Sequence, residues 1–281
     1  MRIKITADST CDLSEELLAQ WDIALMPMHI LMGEDSYLDG VTIHPADVFA
    51  YVNAGGKMPK SAAANLVEYT DFFEPFAKEC DAVIHISVSS KLSSCFQNAK
   101  LAAGEFENVY VVDSQTAAIG TGILAEYALS CVDAGMPADE IAAQLEQKRE
   151  DVCLVALLDT LEYLQKGGRI GKVTAMAGTM LQIKPIITFA PDGQLQSVAK
   201  VRGRHQVMRK LVDMAVDRCG EHKRYNLAVA HGGAPEEMET VRQMLTEALP
   251  NSDHLWDGEI DGTLSVYIGD GVLGAAVQVL D

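Results

Sequence analysis

The stretch from Ala82 to Ala103, AVIHISVSSKLSSCFQNAKLAA, decides the fold. Ala82–Ile86 is short, apolar and rich in β-branched side chains, as a buried strand is. Ser87 to Lys91 then supply a polar turn, and from Leu92 to Ala103 the apolar Leu92, Phe96 and Ala99 recur at helical spacing. Strand, turn and helix in direct succession are half of a βαβ unit. The rhythm repeats on either side, with strands expected at Ile3–Ile5, Ala24–Met28 and Val109–Val112. Helices are expected at Leu13–Trp21, Pro45–Asn53, Leu66–Lys78, Thr116–Asp133 and Ala138–Arg149. Such alternation predicts a mainly parallel sheet flanked by helices on both faces. Three of these strands run into polar turns, Asp8-Ser9-Thr10, Ser87 to Ser90 and Asp113-Ser114. In an open parallel sheet those turns meet at the carboxyl edge, where ligands bind.

The rhythm changes near Val152. Strands are expected at Val152–Leu158, Ile183–Phe189, Leu195–Val201, Leu227–Ala230, His254–Glu259 and Leu264–Ile268, with a tight turn at Pro191-Asp192-Gly193 and amphipathic helices over Gln206–Cys219 and Pro235–Leu249. A hairpin inside a helix-containing unit implies a mixed sheet. The fold class is therefore α/β in two domains: residues 1–152 with a parallel sheet, then a smaller α/β domain, 153–281, with a mixed sheet. A chain of 281 residues is long enough for two cores.

The net charge of −18 and a pI near 4.7 oppose binding to nucleic acid, whose phosphates demand a basic surface. The basic residues cluster once, at Lys200, Arg202, Arg204, Arg209 and Lys210. That spacing suits a solvent-facing helix or a docking surface for a partner protein. No apolar run approaches the length of a membrane span and MRIKITADST reads as a strand, so neither membrane insertion nor a signal peptide is expected and the location is expected to be cytoplasmic. Six cysteines without a C-x-x-C pair read as free thiols, and neither a metal nor a cofactor is expected.

Several residues are candidates for chemistry. The stretch Leu161 to Ile187, LEYLQKGGRIGKVTAMAGTMLQIKPII, ends a short helix at Gly167-Gly168 and leaves Arg169 in a loop before a second helix expected over Thr174–Leu181. A guanidinium fixed there suits a carboxylate or phosphate, and equally a local ion pair. Ser93 falls at the start of the Leu92 helix, where free N–H groups attract an anion, although a serine there also serves as a cap. Ser61 lies in the connection before the Leu66 helix, which Asn65 can cap. Gly120-Thr121-Gly122 with Ala125 matches a dinucleotide fingerprint formally. It begins too late after its strand, so these glycines read as close helix packing. His231-Gly232-Gly233 has the form of an oxyanion-hole turn but no nucleophile elbow accompanies it. Asp8 at a strand end has no second clustered carboxylate for a metal, and capping its own turn is its expected task.

Taken together, these residues resemble the DegV family of bacterial fatty-acid-binding proteins along nearly the whole chain. The resemblance is carried by Ile5 to Thr10 with Asp12-Leu13, by Ser90 to Ser94, and by Val112-Asp113-Ser114 with Gly120 and Gly122. Leu164 to Ile170, Ile183 to Ile186, Gly193, Lys200 to Gly203, and Gly269 with Gly271 complete it. It implies a long-chain fatty acid buried between the two domains, with the acyl chain in an apolar tunnel and the carboxylate at polar loops, presented to a separate fatty acid kinase subunit. On that resemblance Ser93, with Ser94 beside it, matches the family's L-S-G-T loop, Ser61 its T-S-Q-P loop and Arg169 its G-G-R-I turn. Tyr267 stands where the family's H-T-G-P-G has histidine. The chain departs from the pattern at Ser61-Ala62-Ala63-Ala64, Leu92-Ser93-Ser94-Cys95 and Tyr267 to Gly271. Tyr267 can still donate a hydrogen bond, but it cannot exchange a proton near neutral pH as histidine does. The competing reading is an enzyme of phosphoryl or acyl transfer using Asp8 or Asp113 in the interdomain crevice. The absence of a glycine-rich nucleotide cradle speaks against it.

Overall fold

A computed structural model describes residues 1–171, 173, 183–221 and 224–281. The chain begins with β1 (Ile3–Asp8), α1 (Glu15–Gln20) and β2 (Ala24–Met26), then β3 (His29–Met32), β4 (Asp35–Leu38), α2 (Pro45–Asn53) and β5 (Lys60–Ala62). It continues through α3 (Leu66–Glu79), β6 (Ala82–Ser87), α4 (Cys95–Ala103), β7 (Val109–Asp113), α5 (Ile119–Asp133) and α6 (Ala138–Lys148). The first sheet is wholly parallel, in the order β2-β1-β6-β7, with Ile5 opposite Ile84 and Ser87 opposite Asp113. Every residue of β6 is buried, the signature of a strand covered on both faces.

Two expectations about the strands need correction in this half. The strand expected over Ala24–Met28 stops at Met26, because Pro27 has no N–H for the ladder. The chain then turns into β3, which pairs antiparallel with both β4 and β5 in a small separate sheet. Ser61 therefore lies on a strand, opposite Ile30, rather than in a loop. Asn65 does cap α3: its Oδ1 accepts from the N–H groups of Val67 and Glu68, and the Glu68 carboxylate accepts from Asn65 N–H.

The second half comprises β8 (Val152–Leu157), α7 (Glu162–Lys166), β9 (Ile183–Phe189), β10 (Leu195–Arg202), α8 (Arg204–Cys219), β11 (Tyr225–Gly232), α9 (Pro235–Ala248), β12 (His254–Glu259), α10 (Gly262–Ile268) and β13 (Val272–Val279). Its sheet is mixed, in the order β10-β9-β8-β13-β11-β12. The β9–β10 hairpin forms as expected, whereas the helix expected over Thr174–Leu181 lies outside the described residues. Leu264–Ile268 is helix rather than strand. Its alternating side chains imitate a strand, yet both faces are buried, and the Asp261 carboxylate caps the segment by accepting from Leu264 N–H at 2.8 Å. The basic cluster divides between β10 and α8, with Arg204 bonded to both Glu237 and Asp159.

The two sheets pack through α5. Ile119, Ile123 and Leu124 join Ile5, Ile84, Ala230 and Ala276 in one core, while a second core of Leu211, Leu227, Leu245 and Val277 fills the far face of the mixed sheet. Gly122 permits this approach, since a Cβ there would stand 2.7 Å from the Cys11 carbonyl oxygen and 2.8 Å from the Trp256 ring.

Candidate functional site

The polar turns of the parallel sheet do converge, although mostly to bond one another. Asp8 is completely buried and accepts from Ser87 Oγ at 2.7 Å, Val88 N–H at 2.9 Å and Tyr69 Oη, with His85 Nε2 at 3.2 Å. Burial would raise its pKa, but the hydrogen bond and charge of His85, joined by Tyr69 and Ser87, hold the carboxyl below its usual range. Asp8 thus fastens β1 to β6 and α3 instead of capping its own turn. Asp113 Oδ1 accepts from Ser90 and Gln115 N–H. Ser89 Oγ reaches across to donate to the Gly193 carbonyl at 2.8 Å, so the hairpin tip of the mixed sheet docks on these turns. Only glycine suits that tip: its φ is +79°, and a Cβ would meet Ser89 Oγ at 2.5 Å.

Beside this junction lies a cavity of about 240 Å³. Its wall is largely apolar, with Met28 and Val88 from the first half, Ile119 from α5, and Ile187, Phe189 and Val272 from the mixed sheet. Ser61, Ser93, Ser94, Arg169 and Tyr267 all border it. Residues scattered over the sequence are thereby gathered around one cavity. Ser61 Oγ and Tyr267 Oη are hydrogen-bonded at 2.8 Å. The Arg169 guanidinium stacks on the Tyr267 ring, 4.9 Å from its centroid, and donates from Nη1 to the Gly167 carbonyl at 2.8 Å and from Nε to the Leu92 carbonyl at 3.3 Å. Gly167 is tight against the same ring, where a Cβ would overlap the Tyr267 Cδ1 position.

Ser93 and Ser94 occupy the turn into α4. Ser94 is the N-cap residue, yet its hydroxyl makes no capping bond. Ser93 Oγ accepts from Cys95 N–H and donates to Cys95 Sγ at 3.1 Å. Burial pushes the Cys95 thiol up to about 12, with the Asp8 charge adding to the effect, so the sulfur stays protonated and unreactive.

Sequence reasoning missed Asp39, which holds the start of α10 beside the cavity. Its buried carboxylate accepts from Gly262 N–H at 3.0 Å, Thr263 N–H at 3.3 Å and Ser9 Oγ at 2.9 Å. It thereby ties the start of α10 to the turn after β1. Asp12 assists by accepting from Asp261 N–H at 3.0 Å. Burial raises Asp12 to about 7, against the hydrogen bonds from Asp261 and aided by the charges of Asp39 and Glu259. Burial followed by the charges of Asp39 and Asp12 holds Asp261 well above the carboxylate range. A run such as Tyr37-Leu38-Asp39-Gly40 carries no sign of this task, since Gly262 and Thr263 stand more than two hundred residues away.

Among the described residues no group of histidine, cysteine, aspartate or glutamate could hold a metal ion, and no helix is long and apolar enough to cross a membrane. All six cysteines are free thiols.

A parallel sheet and a mixed sheet flanking a largely apolar cavity, bordered by hydroxyls and a guanidinium, define a two-domain α/β protein. The chain belongs to the DegV family: the family model, described as an uncharacterised protein of the DegV family, matches residues 2–279. A DegV domain-containing protein of Clostridium acetobutylicum is 30% identical over 279 residues, covering 98% of each chain. Another from Deinococcus radiodurans is 30% identical over 282 residues, covering 100% of this chain and 99% of its own. Among solved structures, the fatty-acid-binding DegV family protein of Thermus thermophilus superposes with a TM-score of 0.94 at 27% identity, over 100% of both chains. A stearic acid-binding protein from Eubacterium ventriosum shares the fold with a TM-score of 0.89 at 23% identity, covering 99% of this chain and 98% of its own.

Proposed function

We propose that the chain is a lipid-binding carrier that holds a long-chain fatty acid in the apolar cavity, with its carboxylate at Ser61, Ser93, Ser94, Tyr267 and Arg169. The observation that carries this reading is the gathering of those side chains at the edge of one largely apolar space. The fatty acid bound by the Thermus thermophilus relative supports it. Burying a carboxylate is costly unless it is hydrogen-bonded, and hydroxyls with a guanidinium nearby are the equipment it needs. An acyl chain of about sixteen carbons gains up to roughly 12 kcal/mol by burial before binding losses, so the tail supplies affinity and the polar edge supplies orientation.

On this reading the chain does no chemistry itself and presents the carboxylate to a separate fatty acid kinase subunit. The engagement of Asp8 and Asp113 with other groups of the protein favours a carrier over a transferase, because neither carboxylate is poised as a base. The arginine's bonds to two main-chain carbonyls and its stacking on Tyr267 make it a support for the tyrosine, with the hydroxyls as first contacts. Denaturing extraction of the protein purified from a bacterial host, followed by mass spectrometry, should release close to one long-chain fatty acid per chain. Absence of any acyl ligand together with failure to bind a fluorescent fatty acid would overturn the reading.

A further inference from the structure

Apart from the five residues proposed at the carboxylate, the polar residues bordering the cavity, among the described residues, are Thr10, in the turn Ser9–Cys11 after β1, and Thr263, the second residue of α10. Both are almost completely buried, at 1% and 2% exposure, and neither hydroxyl has a hydrogen-bond partner among the described residues. Their main chains are nonetheless firmly held. The Thr10 carbonyl accepts from Ala118 N–H at 2.9 Å, while Thr263 N–H and the neighbouring Ser9 hydroxyl share the same Asp39 oxygen. That shared oxygen brings the two threonines together on one part of the wall. Thr263 also precedes Tyr267 by four residues on α10, about one helical turn, or roughly 6 Å along the axis. The pair is therefore separate from the headgroup but close enough for one acyl chain to pass both.

A buried hydroxyl without a partner calls for an explanation, and two on the wall of one cavity share one. We propose that Thr10 and Thr263 form an interior polar subsite that takes a hydroxyl group carried on the acyl chain. Threonine exchanges its hydroxyl and methyl by a single χ1 step between staggered rotamers, and an unpartnered hydroxyl gives up no bond in that step. A plain hydrocarbon chain offers such hydroxyls nothing. A ligand hydroxyl both donates and accepts, as do the two threonines, so it satisfies either orientation. A site built to bond a hydroxyl discriminates against the analogue lacking it, because the buried groups are then left unpaired. The ligand class is thus narrowed, within the fatty-acid reading on which this rests, to monohydroxylated long-chain acids.

The test is displacement of a fluorescent fatty acid from delipidated protein by hexadecanoic acid and by a positional series of monohydroxyhexadecanoic acids. At least one isomer, with its hydroxyl a few carbons from the carboxylate, should bind about tenfold or more tightly than the plain acid. In Thr263→Val, and in the Thr10→Val, Thr263→Val double variant, that isomer and the plain acid should bind with equal affinity. Thermal melting of each variant verifies that it is folded. If the plain acid binds but no isomer exceeds it, or if the preference survives in the double variant, the subsite is refuted while the fatty-acid reading stands. If neither the probe nor any acid binds the wild-type protein, both fall.

Discussion

Replacing Tyr267 by phenylalanine isolates one hydroxyl of the proposed carboxylate site. The ring that supports Arg169 and packs on Gly167 remains, so the change removes only the oxygen lying 2.8 Å from Ser61 Oγ. A hydrogen bond to a charged carboxylate is worth about 1.5 to 3 kcal/mol. In the unliganded protein the same oxygen bonds Ser61, a neutral pair worth about 1 kcal/mol, and its loss raises the free state as well. The difference leaves about 0.5 to 2 kcal/mol, or roughly 2- to 30-fold weaker binding. Displacement of a fluorescent fatty acid by hexadecanoic acid and by hexadecanol separates headgroup from tail. The acid should lose affinity in Tyr267→Phe and the alcohol should lose less, since its bond to the tyrosine is neutral. Unchanged affinity for the acid, or an equal loss for acid and alcohol, would refute Tyr267 as a carboxylate contact.

Other perturbations address the tail, the buried acids and the sheet junction. Gly274 borders the cavity with space for a Cβ 3.6 Å from Ile119 Cδ1, so Gly274→Leu should fill part of it. Each methylene excluded costs about 0.8 kcal/mol, or roughly fourfold, and a chain-length series should shift its optimum to shorter acids. Asp12 rises from 3.8 to about 7 on folding, so between those values the folded state binds more protons than the unfolded state and stability falls as pH rises. Asp12→Asn keeps an acceptor for Asp261 N–H and should melt higher than the wild type above pH ~7, with the advantage shrinking toward pH ~4. Equal melting temperatures at both ends would contradict this. Asp8 has the opposite sign: its lowered pKa contributes stability at neutral pH that is lost as pH falls through the folded value. Asp8→Ala strips the acceptor from Tyr69, Ser87 and Val88 and should lower unfolding stability by about 3 to 5 kcal/mol in urea titrations. A loss under about 1 kcal/mol would reject its role as the junction of β1, β6 and α3.

The parallel sheet was legible because its strands are continuous apolar runs followed at once by polar turns, and periodicity reports that directly. Asn65 and the Pro191-Asp192-Gly193 hairpin were legible for the same local reason. Ser61, Ser93, Ser94, Arg169 and Tyr267 could be nominated from local motifs, but their meeting on one cavity depends on pairing between distant segments. α10 was misread because a short helix buried on both sides has no polar face to set its period. β13 escaped notice because Gly274, Ala275, Ala276 and Gln278 dilute its β-branched content, although every residue of the strand is buried. Asp39 was invisible for a deeper reason: a carboxylate that anchors a remote helix looks the same in sequence as one in a surface turn.

The place of β13 bears on how the protein comes into being. It lies between β8 and β11, at the middle of the mixed sheet, yet it is the latest of that sheet's strands to leave the ribosome. The parallel sheet can form while synthesis continues, since its strands all precede residue 114. The mixed sheet cannot close until 272–279 emerge, and with them Val272 and Gly274 of the cavity wall. A nascent chain therefore has no complete compartment, and on the proposed carrier reading a lipid enters only a protein whose synthesis has already passed that strand.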